Sequence, residues 1–207
     1  MEFLRLILRF IFRVFIRTTV IDPENVPAEG PGIISGNHET MLDMFMIGYR
    51  LPRYVKWMAK SELYKFKPLG WLISKWGAYP VKRGQHDTGA VSQTVKYLND
   101  GELVGMFPHG TRSRGRGLSL PAKTGFLRVA LAADAPVIPV AIWGRLHIFG
   151  RAYVRFGKPI RPEELIGAER AGDRDHLKEA AQKYMEFVYS LMELPKEEKT
   201  GNGEGQS

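Results

Sequence analysis

The chain contains no cysteine among its 207 residues. That absence excludes disulfide bridges, thiolate metal sites and cysteine nucleophiles, and it fits a reducing compartment. Acidic residues are scarce where the bases gather. Between positions 50 and 83, nine Lys or Arg stand against Glu62 alone, and between 111 and 128 five stand against none. From 161 onward the balance reverses, with eleven acids against seven bases. The net charge of +8 and the pI near 9.7 therefore do not describe a uniformly basic surface. Positive charge concentrated in the middle of the chain favours an anionic ligand bound there over a general nucleic-acid-binding face.

An unbroken apolar run is missing from the N-terminus as well. FLRLILRFIFRVFIR, residues 3–17, holds eleven large apolar residues interrupted by Arg5, Arg9, Arg13 and Arg17. At ~100° per residue each four-residue step drifts only ~40°, so the arginines form one slanting stripe on an otherwise apolar cylinder. Such a helix suits a membrane interface. A spanning helix would carry Arg9 and Arg13 near its middle, at roughly 2.5–3.5 kcal/mol each. No small-residue cleavage site follows, which argues against a signal peptide. The competing reading is a core helix whose arginines snorkel to solvent.

What is present suits one domain: 44% hydrophobic residues over this length support a single core. After the turn-rich DPENVPAEGPG, strand-like and helix-like stretches alternate. GIISG, VKWMA, AYPVK, LVGMF, VIPVAIW and YVRF read as strands. Residues 41–49, 88–99, 123–133 and 173–192, with the LGWLISKW stretch, read as helices. Alternation of this kind predicts an α/β layered domain over 20–193, preceded by an amphipathic membrane-interface helix over 1–19 and followed by a polar, disordered tail over 194–207.

Two segments carry candidate chemistry. NHETMLD places Asn37, His38 and Asp43 directly after a buried strand, where ligands bind in α/β sheets. A histidine near neutral pH can take a proton from an alcohol, and an aspartate can hold its other ring nitrogen. In a continuous helix, residues five apart lie ~140° apart around the axis. His38 and Asp43 meet only if His38 precedes the helix and Asp43 lies in its first turn, with Thr40 as the cap. The alternative is an ordinary helix start beside a loop histidine. The second segment, FPHGTRSRGRG, offers glycines for close backbone approach, the hydroxyls of Thr111 and Ser113, and three arginines with no acid to pair them. That composition suits phosphate, or else a solvated basic loop.

Together these segments resemble the 1-acyl-glycerol-3-phosphate acyltransferase family. NHETMLD resembles its NHx4D signature, KSELYKFKPLG and GAYPVKRG its second block, FPHGTRS its third and VIPVAI its fourth. The resemblance implies a single layered α/β domain with a central mixed β-sheet flanked by helices. It implies His38 as general base, Asp43 as its orienter, and Arg83, Gly110, Thr111 and Arg112 at the acceptor phosphate. Pro139 would belong to the wall of the site, and Lys60 matches a basic position opening the second block. The reaction implied is transfer of a fatty acyl group to lysophosphatidic acid, with acyl-CoA or acyl-ACP as co-substrate and no cofactor or metal. The implied partners are membrane phospholipid, the lysolipid and, as one of the two alternative carriers, acyl carrier protein, without nucleic acid, at the cytoplasmic face of the cell membrane. One position departs: His109 stands where the family has glutamate, and beside Arg112 an imidazole is expected to strengthen anion binding. Competing readings are another lysolipid or glycolipid acceptor, a non-enzymatic lipid-binding protein, and a metallohydrolase using His38, Asp43 and His109.

Overall fold

A computed structural model describes residues 6, 7, 10, 17–81, 88–145, 147, 149–167 and 173–193. Seven strands form one sheet: β1 (Thr19–Ile21), β2 (Gly32–Gly36), β3 (Val55–Lys60), β4 (Ala78–Val81), β5 (Leu103–Met106), β6 (Val137–Gly144) and β7 (Ala152–Phe156). Their order across the sheet is β1-β7-β6-β2-β5-β3-β4. All neighbouring pairs are parallel except β6 with β7, so the sheet is mixed and β2 to β6 all run the same way.

Period-two alternation sends successive side chains to opposite faces, and both faces are covered. Ile34, Leu103 and Ile138 pack with Phe45 and Met46 of α1 (Asp43–Gly48), with Tyr49 just after it, and with Ile73 of α2 (Lys67–Lys75). Their sequence neighbours Ile33, Val104 and Val137 point the other way, into a core closed by Leu98 of α3 (Thr88–Asn99), Phe126 and Leu127 of α4 (Gly125–Ala133), and Tyr184 and Met185 of α6 (Arg174–Ser190). Each fully buried side chain of this size contributes roughly 1.5–3 kcal/mol. Helix α6 starts where Asp173 accepts from the backbone of Asp175 at 2.9 Å and His176 at 3.3 Å. Its Tyr184 hydroxyl, buried in the core, donates to Ser35 O at 2.9 Å, which ties the last helix to the central strand.

The expected strands from GIISG to YVRF are all present. β1 and the short helix α5 (Pro162–Ile166) were not expected from the sequence. β1 is three residues long and pairs only with β7, far along the chain, so no local pattern marks it. The proposed N-terminal helix falls almost wholly outside the described residues, as do positions 194–207. Because β2, β3 and β5 run parallel, the loops leaving their C-terminal ends emerge on one edge of the sheet, where the two motif segments lie.

Candidate active site

The chain leaves β2 through Asn37, which is buried. Its side-chain amide donates to Ile142 O at 2.7 Å and its oxygen accepts from Ile142 N at 2.8 Å, so Asn37 clamps the end of β2 to β6. His38 follows, before α1, and Asp43 is the first residue of that helix. The helix thus begins after the histidine, and the two side chains meet, with His38 Nδ1 2.7 Å from Asp43 Oδ2. Asp43 also accepts from Glu39 N at 2.7 Å, from Thr40 N at 3.0 Å and from Thr40 Oγ1 at 2.8 Å. A carboxylate taking this many donors acts purely as an acceptor, so His38 carries its proton on Nδ1 and keeps a lone pair on Nε2. Thr40 is not the cap of α1. That position falls to Leu42, and the Thr40 hydroxyl serves the Asp43 carboxylate instead.

The loop after β5 supplies the wall. Phe107 stacks on the His38 ring at 4.2 Å between centroids with 9° between planes, and its own ring stacks on Trp57 at 5.4 Å. Gly105 makes this possible, since a Cβ there would stand 2.2 Å from the Trp57 ring. Beside this stack opens a cleft of about 170 Å³. Its apolar lining comes from Met41, Met44, Trp57, Met58, Ala59, Leu63 and Phe107; its polar groups are His38, Lys60 and Arg112. An apolar trough with one base and two cations suits an anionic amphiphile. The methionines adapt easily to an irregular chain. Lys60 is half exposed and pairs with Glu62 at 3.1 Å, a contact worth little at a surface.

The comparisons with known proteins agree with this geometry. The profile of the family described as Acyltransferase matches residues 17–143, more than half of the chain. Over 147 residues the chain is 34% identical to the 1-acyl-sn-glycerol-3-phosphate acyltransferase of Bacillus subtilis, across 68% of this chain and 72% of that protein. The chain belongs to the 1-acyl-glycerol-3-phosphate acyltransferase family. The Haemophilus influenzae protein with the same name is 37% identical over 123 residues, across 57% of this acyltransferase but only 50% of its relative. The crystal structure of the 1-acyl-sn-glycerophosphate acyltransferase PlsC from Thermotoga maritima matches with a TM-score of 0.67, covering 91% of this chain and 77% of that one. At 24% identity that likeness speaks for the fold.

The remaining expected residues of the acyltransferase are placed unevenly. Gly110 takes φ +65°, where a side chain would be strained and would meet the Lys123 amine. Thr111 is exposed on the same loop. Arg83 lies outside the described residues. Pro139 is buried in β6, its ring near Gly157 and outside the lining of the cleft.

His109, expected to strengthen anion binding, is turned into the protein. It is 3% exposed, with neither ring nitrogen hydrogen-bonded, and its ring faces Tyr189 at 6.5 Å. Burial lowers its pKa, opposed in part by the Glu39 carboxylate, so near neutral pH it adds no charge for an anion. Nor do His38, Asp43 and His109 form a metal cluster: among the described residues no three such ligands converge.

Two contributors escaped the sequence reading and a third was misplaced. Phe107 was read as the end of a strand and the first residue of the arginine segment, with no role beside the histidine. Ser113 was read as a phosphate-binding hydroxyl, yet it is buried, donating from its backbone to His38 O at 2.6 Å and from its hydroxyl to Glu39. Glu39 also accepts from Asn37 Nδ2 at 3.0 Å, so it couples the histidine loop to the arginine loop. The signal was its place inside the motif, between the base and its orienter.

Proposed function

We propose that this acyltransferase moves a fatty acyl group from an acyl thioester, carried by coenzyme A or acyl carrier protein, to the free hydroxyl of 1-acyl-glycerol-3-phosphate, giving phosphatidic acid. The observation that carries the proposal is the His38–Asp43 pair opening into an apolar cleft with Arg112 on its wall. His38 Nε2 takes the hydroxyl proton as the oxygen attacks the thioester carbonyl. The tetrahedral intermediate then collapses, the C–S bond breaks, and the imidazolium returns the proton to the departing thiolate. Asp43 stabilises the imidazolium while it lasts. Arg112 holds the acceptor phosphate so that its hydroxyl stays within reach of Nε2. The acyl chains lie along the methionine and aromatic wall.

Activity at the cytoplasmic face of the membrane, with the N-terminal amphipathic segment as anchor, belongs to the same reading and is supported by its arginine stripe. Among the described residues no helix is long and apolar enough to cross a membrane. A second reading keeps the chemistry and changes the acceptor to another lysolipid or a glycolipid; the neutral His109 in the arginine loop favours it. The deciding experiment is an acyl-transfer assay of purified protein across a panel of lysolipids with both carriers. Preferential acylation of lysophosphatidic acid supports the first reading, and equal or greater rates on other lysolipids support the second. Absence of transfer to any acceptor overturns both.

A further inference from the structure

Helix α2 and the turn before it carry an unusual surface. Trp71 is 62% exposed and Phe66, which precedes the helix, is 65% exposed, while Gly70, Ile73 and Trp76 on the opposite side are buried. On a helix Lys67, Trp71, Ser74 and Lys75 fall within an arc of ~100°, with Trp71 near its centre. Lys65, Lys67 and Lys75 are all exposed, and positions 63–81 contain no acid. The preceding acid, Glu62, is already paired with Lys60. Met41 and Leu42, 45% and 39% exposed, add apolar surface on the histidine loop, whose following helix packs into the same core as α2. Met41 and Lys60 also line the cleft, as does Leu63, three residues before Phe66.

We propose that α2, with Phe66 and the Met41–Leu42 loop, is a docking face for an anionic phospholipid leaflet, separate from the N-terminal segment. Trp71 and Phe66 enter the interface, where aromatic rings settle at headgroup depth, and Lys65, Lys67 and Lys75 meet lipid phosphates. The charge argues for this occupant: exposed aromatics with three exposed lysines close in sequence, and the one nearby acid, Glu62, paired with Lys60, complement a negatively charged leaflet better than a mixed-charge protein surface. Docked in this way, the cleft mouth lies against the leaflet and a lysolipid can slide from it with its acyl chain still in apolar surroundings. The inference deepens the proposed function and rests on its reading of a lipid acceptor, yet it is tested without substrate.

Because the chain has no cysteine, Ser74→Cys in the full-length protein accepts a single environment-sensitive fluorophore. A parallel label at Lys178→Cys, exposed on α6 across the sheet, is the control. Vesicles of phosphatidylcholine with phosphatidylglycerol should shift the Ser74 label to shorter wavelength and leave the Lys178 label unchanged. Pure phosphatidylcholine should shift it less, and salt should weaken the effect. The double variant F66A/W71A, lying outside the catalytic machinery, should abolish the shift and cut partitioning to anionic vesicles by at least about fivefold. Its turnover of a monomeric, water-soluble short-chain acceptor should stay unchanged. A Ser74 label in vesicle-bound protein that emits as it does in buffer overturns the proposal. So does one already shifted in buffer, whether by a second copy or by another segment of this chain covering the face. Failure of the proposed function appears differently, as absent acyl transfer with the vesicle response intact.

Discussion

In the proposed mechanism His38 can serve as a base only while its Nε2 lone pair faces the cleft, an orientation that the 2.7 Å contact with Asp43 would hold. Replacing His38 by Ala should lower kcat/KM by at least ~100-fold with the fold intact, the low end for general-base catalysis. Asp43→Asn should lower kcat more than it raises the acceptor KM, because the amide disrupts the tautomer and not the binding wall. Near wild-type turnover in either folded variant would sink the mechanism. Arg112, on the cleft wall, should act on one substrate: Arg112→Ala should raise KM for a phosphate-bearing acceptor far more than for the acyl donor, and equal effects would place the guanidinium elsewhere. His109 gives a pH test. Burial lowers its pKa in the folded protein, whereas in the unfolded chain it titrates near ~6.5. Its neutral form therefore contributes full stability above ~6.5, and that contribution is lost as pH falls from there through the lowered folded value. Melting temperatures between pH 7.5 and 5 should fall less steeply in His109→Gln than in the wild type. Parallel curves would show that His109 titrates as freely folded as unfolded.

Elements show where the sequence was legible and where it was not. GIISG and LVGMF read as strands because both faces of a central parallel strand are buried, leaving a short continuous apolar run bounded by turn residues. The His38–Asp43 pair was legible because helix geometry allows only one way for residues so spaced to meet. β1 was hidden because its partner strand lies more than a hundred residues away, and α5 because five residues carry too little periodicity. The burial of His109 was equally hidden: its loop reads as polar, and the ring beside it, Tyr189, arrives on α6 eighty positions later. Long-range packing also explains Gly105, an unremarked glycine in a strand. Gly105→Ala would drive a methyl into the Trp57 ring and push the Trp57–Phe107–His38 stack out of line. The variant should lose roughly 1–3 kcal/mol of stability by chemical denaturation, typical of overpacking, and kcat should fall although no reacting group has changed. Unaltered kcat would mean that the stack does not hold the histidine.

At the scale of the whole molecule, the question is how an enzyme with its cleft on one edge of the sheet would meet the proposed lysolipid acceptor, which is held in a bilayer. The arginine-striped segment at residues 3–17 offers both apolar area and positive charge, and salt weakens only the second. The folded domain sets where that segment can be removed. β1 begins at Thr19, and the Tyr49 hydroxyl donates to Thr18 O at 3.0 Å, so a truncation must stop before Arg17 to leave the sheet intact. Deleting residues 2–16 should move the protein from the membrane to the soluble fraction, with its melting temperature little changed. In the full-length protein, high salt should release only part of the membrane-bound material, because the apolar contribution persists when charges are screened. Complete release by salt would show that the arginines alone hold the protein. Retention through alkaline carbonate would instead show that the segment crosses the bilayer, despite the ~2.5–3.5 kcal/mol that each central arginine adds to insertion. If the α2 face also docks, the truncated protein should keep a weak, salt-sensitive affinity for anionic vesicles. The strong, salt-resistant component then belongs to the N-terminal segment, and the weak component turns the cleft toward the leaflet.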